Sequence, residues 1–461
     1  MVFSSNIFLF AFLPIFLVSY YLTPWRAKSL LILVFSYFFY AWWRPDFLGL
    51  LVGVTLVSYA FALAIDTAKN ETQRFRILTA GVTLNLLALA YFKYANFGVE
   101  SFNTALKALG FSGVDFAHVI LPIGLSFYIF HAISYLVDIY RKEAPPARNL
   151  IDFAAFIALF PHLVAGPVLR YHLLAQQFRS RVHSVSRFSR GSLIFMVGFC
   201  KKVLIADTVA PLADAAFSAT APTFADAWLG AVAYTIQLFF DFSGYTDMAI
   251  GLALMIGFVF PENFNDPYTS KSITEFWKRW HMSLSSWLRE YLYVSLGGNR
   301  KGVLRTYINL FLTMLLGGLW HGANWTFVLW GAWHGGILAI ERYWESQFGP
   351  SRLPNWIRVA RTMLWVMLGW VMFRAADIHG AGRMFAGMIG IQGWNFSPSM
   401  AWHITGDRLA ITVLGIGLVY AMPWLKQHFG GPLRYLILPL FLWAVATLSS
   451  QSFTPFLYFQ F

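Results

Sequence analysis

Two histidines occupy a segment that otherwise has the composition of a membrane helix. His321 and His334 lie in LLGGLWHGANWTFVLWGAWHGG, residues 315–336, where only Asn324 and Thr326 add other polar side chains. Neutral imidazole can act as a general base near neutral pH, because its ordinary pKa is about 6.5. Neither histidine has a cysteine or a carboxylate at metal-ligand spacing. General-base chemistry therefore explains this segment better than a metal site does.

Glycines lie on both sides of the first of these histidines. Gly317, Gly318 and Gly322 would permit close helix packing or local unwinding at His321. His334 lies about 220° around an ideal helix from His321, so the two imidazoles need not share a face. His321 also follows a long apolar run, which predicts a position well inside the membrane layer.

Carboxylates appear in a second apolar segment, FFDFSGYTDMAIG, at Asp241 and Asp247. A charged side chain at the bilayer midplane costs roughly 2.5–3.5 kcal/mol on insertion scales. The segment therefore indicates either the polar wall of a substrate channel or a helix end near an interface, whose carboxylates cap the helix or pair with arginine. The two carboxylates lie about 240° apart on an ideal helix and are not expected to form a close pair. The candidate channel residues in this segment are Asp241, Ser243 and Tyr245.

A third segment, TSKSITEFWKRWHMSLSSWLREYLY (residues 269–293), is too highly charged to span a membrane. Its spacing predicts one basic amphipathic helix on the cytoplasmic surface, with an apolar stripe that includes Trp280 and an opposite face that includes Arg279. His281 falls on the apolar stripe, so its side chain is predicted to point into the protein. Arg300 and Lys301 follow in a glycine-containing loop that either binds phosphate or forms a turn with topogenic charges.

The elements that must position these residues are membrane helices. Hydrophobic residues make up 58% of the 461 residues and charged residues only 12%, whereas soluble domains carry about 25% charge. The pattern predicts an all-α polytopic membrane protein with about eleven to thirteen membrane-embedded helices, the run at 227–259 being one long kinked helix or two shorter ones. The candidate spans lie near 6–22, 29–44, 47–65, 77–93, 117–140, 191–210, 227–259, 306–321, 324–341, 361–376, 408–425 and 433–450.

The basic residues indicate orientation rather than a nucleic-acid partner. The formal net charge is +13, but lysine and arginine are confined to short connections between apolar spans. Basic connections at 23–28, 66–76 and 141–149 alternate with neutral ones, which predicts cytoplasmic basic loops and an N-terminus on the outer side. No nucleic acid is expected as a partner.

One segment interrupts the alternation of basic and neutral connections. LIDFAAFIALFPHLVAGPVL lies between the basic connections 141–149 and 170–190 and is too short to cross the membrane twice. We interpret it as a re-entrant or in-plane element interrupted at Pro161 and Gly166, with two short tilted helices as the alternative. Irregular backbone at membrane depth must be surrounded by protein or a water-filled cavity, so an internal cavity or funnel is expected nearby.

Two of these segments resemble the signatures of a known family. ITEFWKRWHMSLSSWLREYLYVSLGGNRKG and LLGGLWHGANWTFVLWGAWHG are similar to motifs of the membrane-bound O-acyltransferases, and the resemblance extends from Met1 to about Trp344. The family's WHG histidine corresponds to His321, and the histidine of its FW-x-x-WH motif corresponds to His281. His334 has no counterpart with a role in this pattern.

The resemblance implies one helical membrane domain over residues 1–461, built around a central tunnel. Its parts would be N-terminal helices at 1–140, a catalytic core at 141–345 and C-terminal helices at 346–461. The implied reaction transfers acetyl from a cytoplasmic thioester, acetyl-CoA, to a hydroxyl on the other side, with no metal and no permanently bound cofactor. His321 would act as the base and His281 would shape the cytoplasmic mouth. The candidate donor-binding or tunnel residues are Trp280, Arg279, Asn324, Asp241, Ser243, Tyr245, Arg300 and Lys301. Among them, Arg279, Arg300 and Lys301 are our own inference from their charge and are not implied by the resemblance.

The resemblance also implies a place and a set of partners. The place would be the bacterial inner membrane, surrounded by lipid, with a periplasmic N-terminus. The acceptor would be an exopolysaccharide, with alginate favoured and cellulose or another glycan as the alternative. Residues 94–116 and 212–226 would face outward and dock a periplasmic acetyltransferase or another polysaccharide-modification protein. Two other classes of protein remain open at this point: a scaffold without chemistry, and a proton-coupled transporter with a relay of Asp241, Asp247, His321 and His334.

Overall fold

The computed structural model describes residues 1–428, 432–450 and 456–457. Every regular element in these ranges is helical, which confirms the predicted all-α class. Internal contacts divide the chain into two units, and each unit combines two stretches of sequence. Unit 1 contains Met1–Ser192 and Ala249–Pro261, and unit 2 contains Leu193–Met248 and Glu262–Phe461.

Unit 1 is built mainly from the first nine α-helices, the last of which continues into unit 2. A π-helical stretch at Phe8–Phe12 precedes the first of them. The helices are α1 Leu13–Leu22, α2 Lys28–Ala41, α3 Leu48–Thr67, α4 Glu71–Ala108, α5 Leu125–Tyr140, α6 Leu150–Ala158, α7 Phe160–Leu163, α8 Tyr171–Arg179 and α9 Val185–Cys200.

Unit 2 holds the remaining helices, together with π-helical stretches at Lys201–Ala206 and Leu288–Tyr293. The helices are α10 Asp207–Ser218, α11 Phe224–Met255, α12 Ile273–Arg279, α13 Met282–Trp287, α14 Val303–His321, α15 Trp325–Phe348, α16 Asn355–Arg374, α17 Ile378–Met388, α18 Pro398–His403, α19 Gly406–His428 and α20 Ile437–Ser450. The end of α11 belongs to unit 1. Residues 429–431, 451–455 and 458–461 of the predicted C-terminal part lie outside the described residues.

Within the described residues, five helices are long and apolar enough to cross a membrane, and three shorter apolar helices accompany them. The long ones are Pro45–Thr67, Glu71–Ala108, Val303–His321, Asn355–Arg374 and Gly406–His428. The chain is therefore a multi-pass membrane protein, as predicted. The figure of eleven to thirteen membrane-embedded helices stays a prediction.

Several boundaries differ from the predicted spans. Helix α4 continues fifteen residues beyond the expected end at residue 93, so 94–108 is helical and not a connection. Helix α5 begins only at Leu125. Part of the connection expected at 212–226 belongs to α10, which ends at Ser218. The 227–259 run forms one helix, α11, that continues through its Ser-Gly pair.

Two asparagines explain why the chain after α4 stays extended up to the start of α5. Asn96 donates from Nδ2 to the Val119 carbonyl at 2.8 Å, and its Oδ1 accepts the Val119 N–H at 3.0 Å. Asn103 makes the same double contact with Val114, at 3.0 and 2.7 Å. Each side-chain amide thus pairs with both the N–H and the carbonyl of one extended residue, as a neighbouring β-strand would. These backbone groups would otherwise lack partners.

The segment predicted to be re-entrant has the broken, buried backbone expected of such an element. Helix α6 ends at Ala158, the short α7 follows, and an extended stretch leads to α8. Three side chains on one face of α5 accept hydrogen bonds from backbone N–H groups of this stretch and of the start of α8. The contacts, which define the α5 polar stripe, are His131 Nε2 with Leu169 at 3.1 Å, Ser134 Oγ with Tyr171 at 3.3 Å, and Asp138 Oδ2 with His172 at 2.9 Å.

The basic amphipathic segment does not form the single helix that its spacing predicts. Helix α12 ends at Arg279, and His281 adopts a left-handed conformation with φ 44° and ψ 53° before α13 begins. This conformation costs a non-glycine residue roughly 1–2 kcal/mol, so the surroundings must hold it in place. The single-helix prediction is wrong, although His281 is buried as expected.

Candidate active site

A cavity of about 800 Å³ lies in unit 2 among α12, α13, α14 and α15. Its volume falls within the range of about 300–1,000 Å³ that is usual for small-molecule sites. His321, the last residue of α14, forms part of the wall together with Trp277, Trp330 and Met314. The structure therefore places the predicted base beside a space large enough for a substrate.

Aromatic rings fix the orientation of the His321 imidazole. The side chain is buried, with 7% of its surface exposed. Trp330 meets the imidazole edge-on with ring centroids 5.1 Å apart, and Phe373 does so at 5.2 Å. Trp320, its neighbour in sequence, lies at 4.9 Å. These rings exclude water from most of the imidazole while part of it borders the cavity.

Close packing of α14 against α15 determines where His321 lies. A Cβ on Gly318 would overlap the carbonyl oxygen of Phe327, and one on Gly331 would lie 2.7 Å from the carbonyl oxygen of Met314. Both contacts are with backbone atoms, so the two helices approach as closely as glycine allows. The close packing anticipated around His321 is therefore present.

Asn324, a predicted tunnel residue, starts α15 instead of lining the cavity. Its Oδ1 accepts the Thr326 N–H at 3.1 Å, as an N-cap does. Its Nδ2 donates to the Ala376 carbonyl at 2.7 Å. Both ends of the amide are thus used to fix the turn between His321 and α15.

His281 is held by Asn263, a residue that sequence reasoning missed. Asn263 Oδ1 lies 3.1 Å from His281 Nδ1 and also accepts from Ser283, from its backbone N–H at 3.1 Å and from its hydroxyl at 2.8 Å. A backbone N–H can only donate, so the Asn263 atom that faces it is the amide oxygen. The proton of neutral His281 must therefore be on Nδ1, and Nε2 carries the lone pair. Burial lowers the pKa of His281 to about 3, so the ring is neutral at physiological pH.

The two predicted histidines do not share the cavity. Trp320 lies between them, with its ring centroid 6.5 Å from that of His281 and 4.9 Å from that of His321. Phe242 packs edge-on against the other side of His281 at 4.7 Å. His281 is thus a neighbour of the wall rather than part of it.

Four cationic side chains line the cavity, and only one of them was predicted. Among the described residues that form the wall, none is acidic, so these charges are not neutralised within it. The four are Lys278, Arg289, Arg300 and Arg342. Of the other predicted cations, Arg279 pairs with Glu275 at 2.6 Å, and Lys301 is exposed outside the wall. No sequence signal would have selected Arg342, because it comes from the far end of α15.

Glu341 on α15 fixes the start of α12 and was also missed. Its carboxylate accepts the backbone N–H groups of Ile273 and Thr274 at 2.9 and 3.0 Å, and the Thr274 hydroxyl at 3.1 Å. A carboxylate at a helix N-terminus is favoured by the helix dipole and by free N–H groups. Glu341 thereby orients the helix that carries Trp277 and Lys278 to the cavity.

The polar segment of α11 forms buried ion pairs away from the cavity wall. Lys202 lies 2.7 Å from Asp241 and 2.6 Å from Asp207, and Lys201 lies 2.6 Å from Asp247. The two carboxylates of α11 thus take different partners, as their angular separation suggested. Ser243 and Tyr245 are buried on the same helix. The carboxylates are thus paired, but with lysine rather than arginine, and they lie inside α11 rather than at a helix end.

Trp280 belongs to an aromatic cluster rather than to the wall. Its ring centroid lies 5.0 Å from that of Trp370, 5.5 Å from that of Phe276 and 5.7 Å from that of Tyr268. Of the ten residues proposed from the sequence as catalytic, donor-binding or tunnel-lining, the cavity wall includes His321 and Arg300. Those it does not include are His281, Trp280, Arg279, Asn324, Asp241, Ser243, Tyr245 and Lys301.

Comparison with known proteins assigns the chain to a family. The family model of the membrane-bound O-acyltransferases matches residues 140–375. Probable alginate O-acetylases of Pseudomonas putida and Azotobacter vinelandii are 53% and 52% identical, each match covering 100% of both chains. A peptidoglycan O-acetyltransferase of Helicobacter pylori is 36% identical over 85% of this chain and 80% of its own. The chain therefore belongs to the membrane-bound O-acyltransferase family and is an O-acyltransferase.

Proposed function

We propose that the chain transfers acetyl groups from acetyl-CoA, supplied in the cytoplasm, to hydroxyl groups of an exopolysaccharide, directly or through a periplasmic protein. Alginate is the first candidate polymer, because two full-length relatives are named for alginate O-acetylation. Cellulose or another glycan is the alternative. The observation that carries the proposal is the position of His321 on a cavity whose other wall residues include four cations.

The four cations suit a donor that carries several phosphates. Coenzyme A has phosphate groups at the end remote from its thioester, and arginine binds such groups through paired N–H donors. Lys278, Arg289 and Arg300 are largely exposed, as expected of the mouth of a site, whereas His321 is buried. A donor bound by its phosphates at the exposed cations would direct its thioester toward the histidine.

In the proposed reaction the acceptor hydroxyl oxygen attacks the carbonyl carbon of the thioester. His321 takes the hydroxyl proton as the new C–O bond forms. The C–S bond then breaks, and the proton leaves His321 with the thiolate, which departs as the coenzyme A thiol. General-base help of this kind typically contributes about 10²–10⁴-fold. His281 is assigned a positioning role, because it is not a wall residue and its ring packs near Trp320, the neighbour of His321.

The proposal includes the inner membrane as location, a periplasmic N-terminus and the partner surfaces expected at 94–116 and 212–226. The charge alternation of the loops supports this orientation. Residues 94–108 would present a helical surface to the partner, because α4 extends to Ala108.

The central experiment measures acetyl transfer from labelled acetyl-CoA by the purified full chain in lipid nanodiscs. Mannuronate oligomers and cello-oligosaccharides would be supplied as acceptors, each with and without a purified periplasmic polysaccharide acetyltransferase. His321→Gln should abolish transfer, and the matched control His334→Leu should retain it. Equal transfer by both variants would refute the base assignment. Transfer to cello-oligosaccharides alone would refute alginate as the acceptor.

A truncated donor tests the cationic wall separately. Arg300→Gln with Arg342→Gln should raise KM for acetyl-CoA about tenfold or more, while kcat changes little, because the lost contacts bind substrate and transition state alike. Acetyl-pantetheine lacks the nucleotide phosphates and should be used equally well by wild type and variant. Lys301→Gln is the matched control, because Lys301 is exposed and lies outside the wall. An equal KM change for both donors would exclude phosphate binding by these arginines.

A further inference from the structure

We propose that unit 1 binds the phosphodiester headgroup of an anionic phospholipid at three basic side chains grouped around Tyr20. These residues, Lys28, Arg181 and His183, are here called the Tyr20 basic cluster. They come from the two basic connections at 23–28 and 170–190, which the proposed acyl transfer does not use. The proposal is independent of the chemistry assigned to unit 2.

Tyr20 is buried and contacts all three members of the cluster. The Lys28 ammonium donates to the Tyr20 carbonyl and lies 4.1 Å from the centre of its ring. Arg181 Nε lies 3.3 Å from the Tyr20 hydroxyl oxygen, and His183 Nε2 lies 2.9 Å from it. The Tyr20 hydroxyl gives its own proton to the Ile256 carbonyl at 2.8 Å, so towards Arg181 and His183 it accepts. His183 therefore carries its proton on Nε2 and donates it to Tyr20, so the donors left for a ligand belong to Lys28 and Arg181.

The cluster has no acidic partner in the part of the chain that the structure describes. No carboxylate there lies within 4.0 Å of Lys28, Arg181 or His183, and the connection 170–190 contains no acidic residue. Asp152 acts on Arg181 only from a greater distance. Burial and the charge of Arg181 lower the pKa of Lys28. Grouped cations without a counter-charge are unfavourable, and a bound anion would relieve their repulsion.

Arg181 and Lys28 also have N–H groups left to bind a ligand. Arg181 donates from Nε to Tyr20 and from Nη1 to the Gln177 carbonyl at 3.0 Å, and the described residues offer Nη2 no acceptor. Lys28 has three N–H groups and one acceptor, the Tyr20 carbonyl, in the same part of the chain. An arginine and a lysine with spare donors are the groups that bind a phosphate oxygen pair.

The surroundings favour a lipid over a free phosphate ion. Arg181 lies 4.8 Å from the ring centre of Trp25, which is 41% exposed. Leu22 is 80% exposed, and Val182 and Val185 are 59% and 87% exposed. Exposed tryptophan and aliphatic side chains beside cations are typical of the headgroup level of a membrane, where they contact acyl chains while the cations contact phosphate. A free phosphate ion would gain nothing from these apolar groups.

The test compares lipid binding by two arginine variants of the full chain, purified in uncharged detergent. Native mass spectrometry would measure retention of phosphatidylglycerol, with phosphatidylcholine as the zwitterionic lipid. Arg181→Gln should weaken phosphatidylglycerol binding about fivefold, the effect expected of one cation beside an anionic headgroup. Arg190→Gln, which removes an exposed arginine outside the cluster, should leave binding unchanged. Arg181→Lys keeps the charge and should retain most of the binding.

Three outcomes would overturn the proposal. Equal phosphatidylglycerol binding by Arg181→Gln and wild type would show that the Tyr20 basic cluster does not bind the lipid. Equal retention of phosphatidylcholine and phosphatidylglycerol by wild type would show that charge plays no part. Displacement of the lipid by millimolar inorganic phosphate would identify the ligand as a free ion. A monodisperse elution profile and a wild-type unfolding midpoint for Arg181→Gln itself would show that its loss of binding comes from charge and not from misfolding.

Discussion

Both units of the molecule contain buried histidines, and two from each unit differ in what their nitrogens contact. In unit 1, His131 and His162 lie with ring centroids 4.4 Å apart, and both are fully buried. His131 Nε2 accepts a backbone N–H, and His162 Nε2 donates to the Phe156 carbonyl at 2.9 Å. In unit 2, His281 is tied to an asparagine, whereas His321 borders a cavity.

The difference shows that burial and residue type do not by themselves identify a catalytic histidine. All four rings are at least nine-tenths buried, yet only His321 is a wall residue of a substrate-sized cavity. A histidine that bonds the main chain stabilises the fold, whereas one that borders a cavity is available to a substrate. Substitutions at these histidines and at their partners test the distinction.

The largest expected effect is at the cavity. His321→Gln keeps a polar side chain of similar length but removes the base, so turnover should fall about 10²–10⁴-fold. The thermal unfolding midpoint should stay close to that of wild type, because the rings around His321 remain in place. Initial rates with acetyl-CoA and a differential scanning measurement on the same preparation check both parts. Less than a tenfold loss would place the base elsewhere.

The next largest effect is expected at Asn263, whose side chain holds His281 in place. Asn263→Ala removes the acceptor shared by His281 Nδ1–H and the two donors of Ser283, and each buried donor left unpaired costs about 1–3 kcal/mol. Both the unfolding midpoint and kcat should fall, while KM for acetyl-CoA stays near the wild-type value. Asn263→Asp keeps an acceptor oxygen and should recover part of the midpoint. A variant with normal kcat would show that His281 needs no fixed orientation.

The matching change in unit 1 should affect stability without affecting chemistry. His131→Phe leaves the Leu169 N–H without its acceptor, at a cost of about 1–3 kcal/mol of unfolding free energy. Activity per folded molecule should remain within about twofold of wild type. Rates normalised to the folded fraction test this, and a large loss of kcat would mean that the unit 1 pair acts on the reaction.

Acidification should destabilise the protein partly through His281. Its pKa is about 3 in the folded chain and about 6.5 when unfolded, so between these values only the unfolded chain takes the proton. The contribution of His281 to the free energy of unfolding is fully present above pH 6.5. It decreases as the pH falls, by about 1 kcal/mol between pH 6.5 and 5.5. Unfolding midpoints of wild type and His281→Gln at both pH values measure the part of the pH dependence that comes from His281. An identical pH dependence in the two proteins would contradict the buried neutral ring.

The smallest effect is expected at His334. The ring is fully buried, and neither of its nitrogens has a hydrogen-bond partner in the described residues. His334→Leu conserves volume and removes polar atoms that make no bond, so the midpoint should stay the same or rise, with activity within about twofold of wild type. A strong loss of activity would give His334 a role that its contacts do not indicate.

Much of the frame around the site could be predicted from local pattern. The apolar run and glycines before His321, and the second apolar run from Asn324, predicted two closely packed helices. Helix α14 ends at the expected residue, whereas α15 continues seven residues beyond the expected end at 341. Glycine spacing and apolar periodicity are local properties, so one stretch of sequence contains them. The family motifs then distinguished His321 from His334.

The parts that could not be predicted depend on contacts between distant segments. Glu341 caps a helix that begins 68 residues earlier, and Asn263 supports a left-handed residue 18 positions later. On both sides of His281 the sequence keeps helical spacing, so the break has no periodic signal. The cationic wall likewise combines residues from three helical elements and the loop before α14, and only their folded arrangement shows that Arg300 belongs to it while Lys301 does not.

Gly318 and Gly331 leave no room for a larger residue where α14 and α15 meet. A methyl group at either position meets backbone carbonyl oxygens, and no other side chain can be trimmed to make room for it. A screen for suppressors of Gly318→Ala should therefore yield true revertants and few second-site changes. By contrast, the methyl group of Gly317→Ala would meet only the end of the Leu288 side chain, at 3.3 Å. A smaller residue at position 288 should therefore restore the activity of that variant.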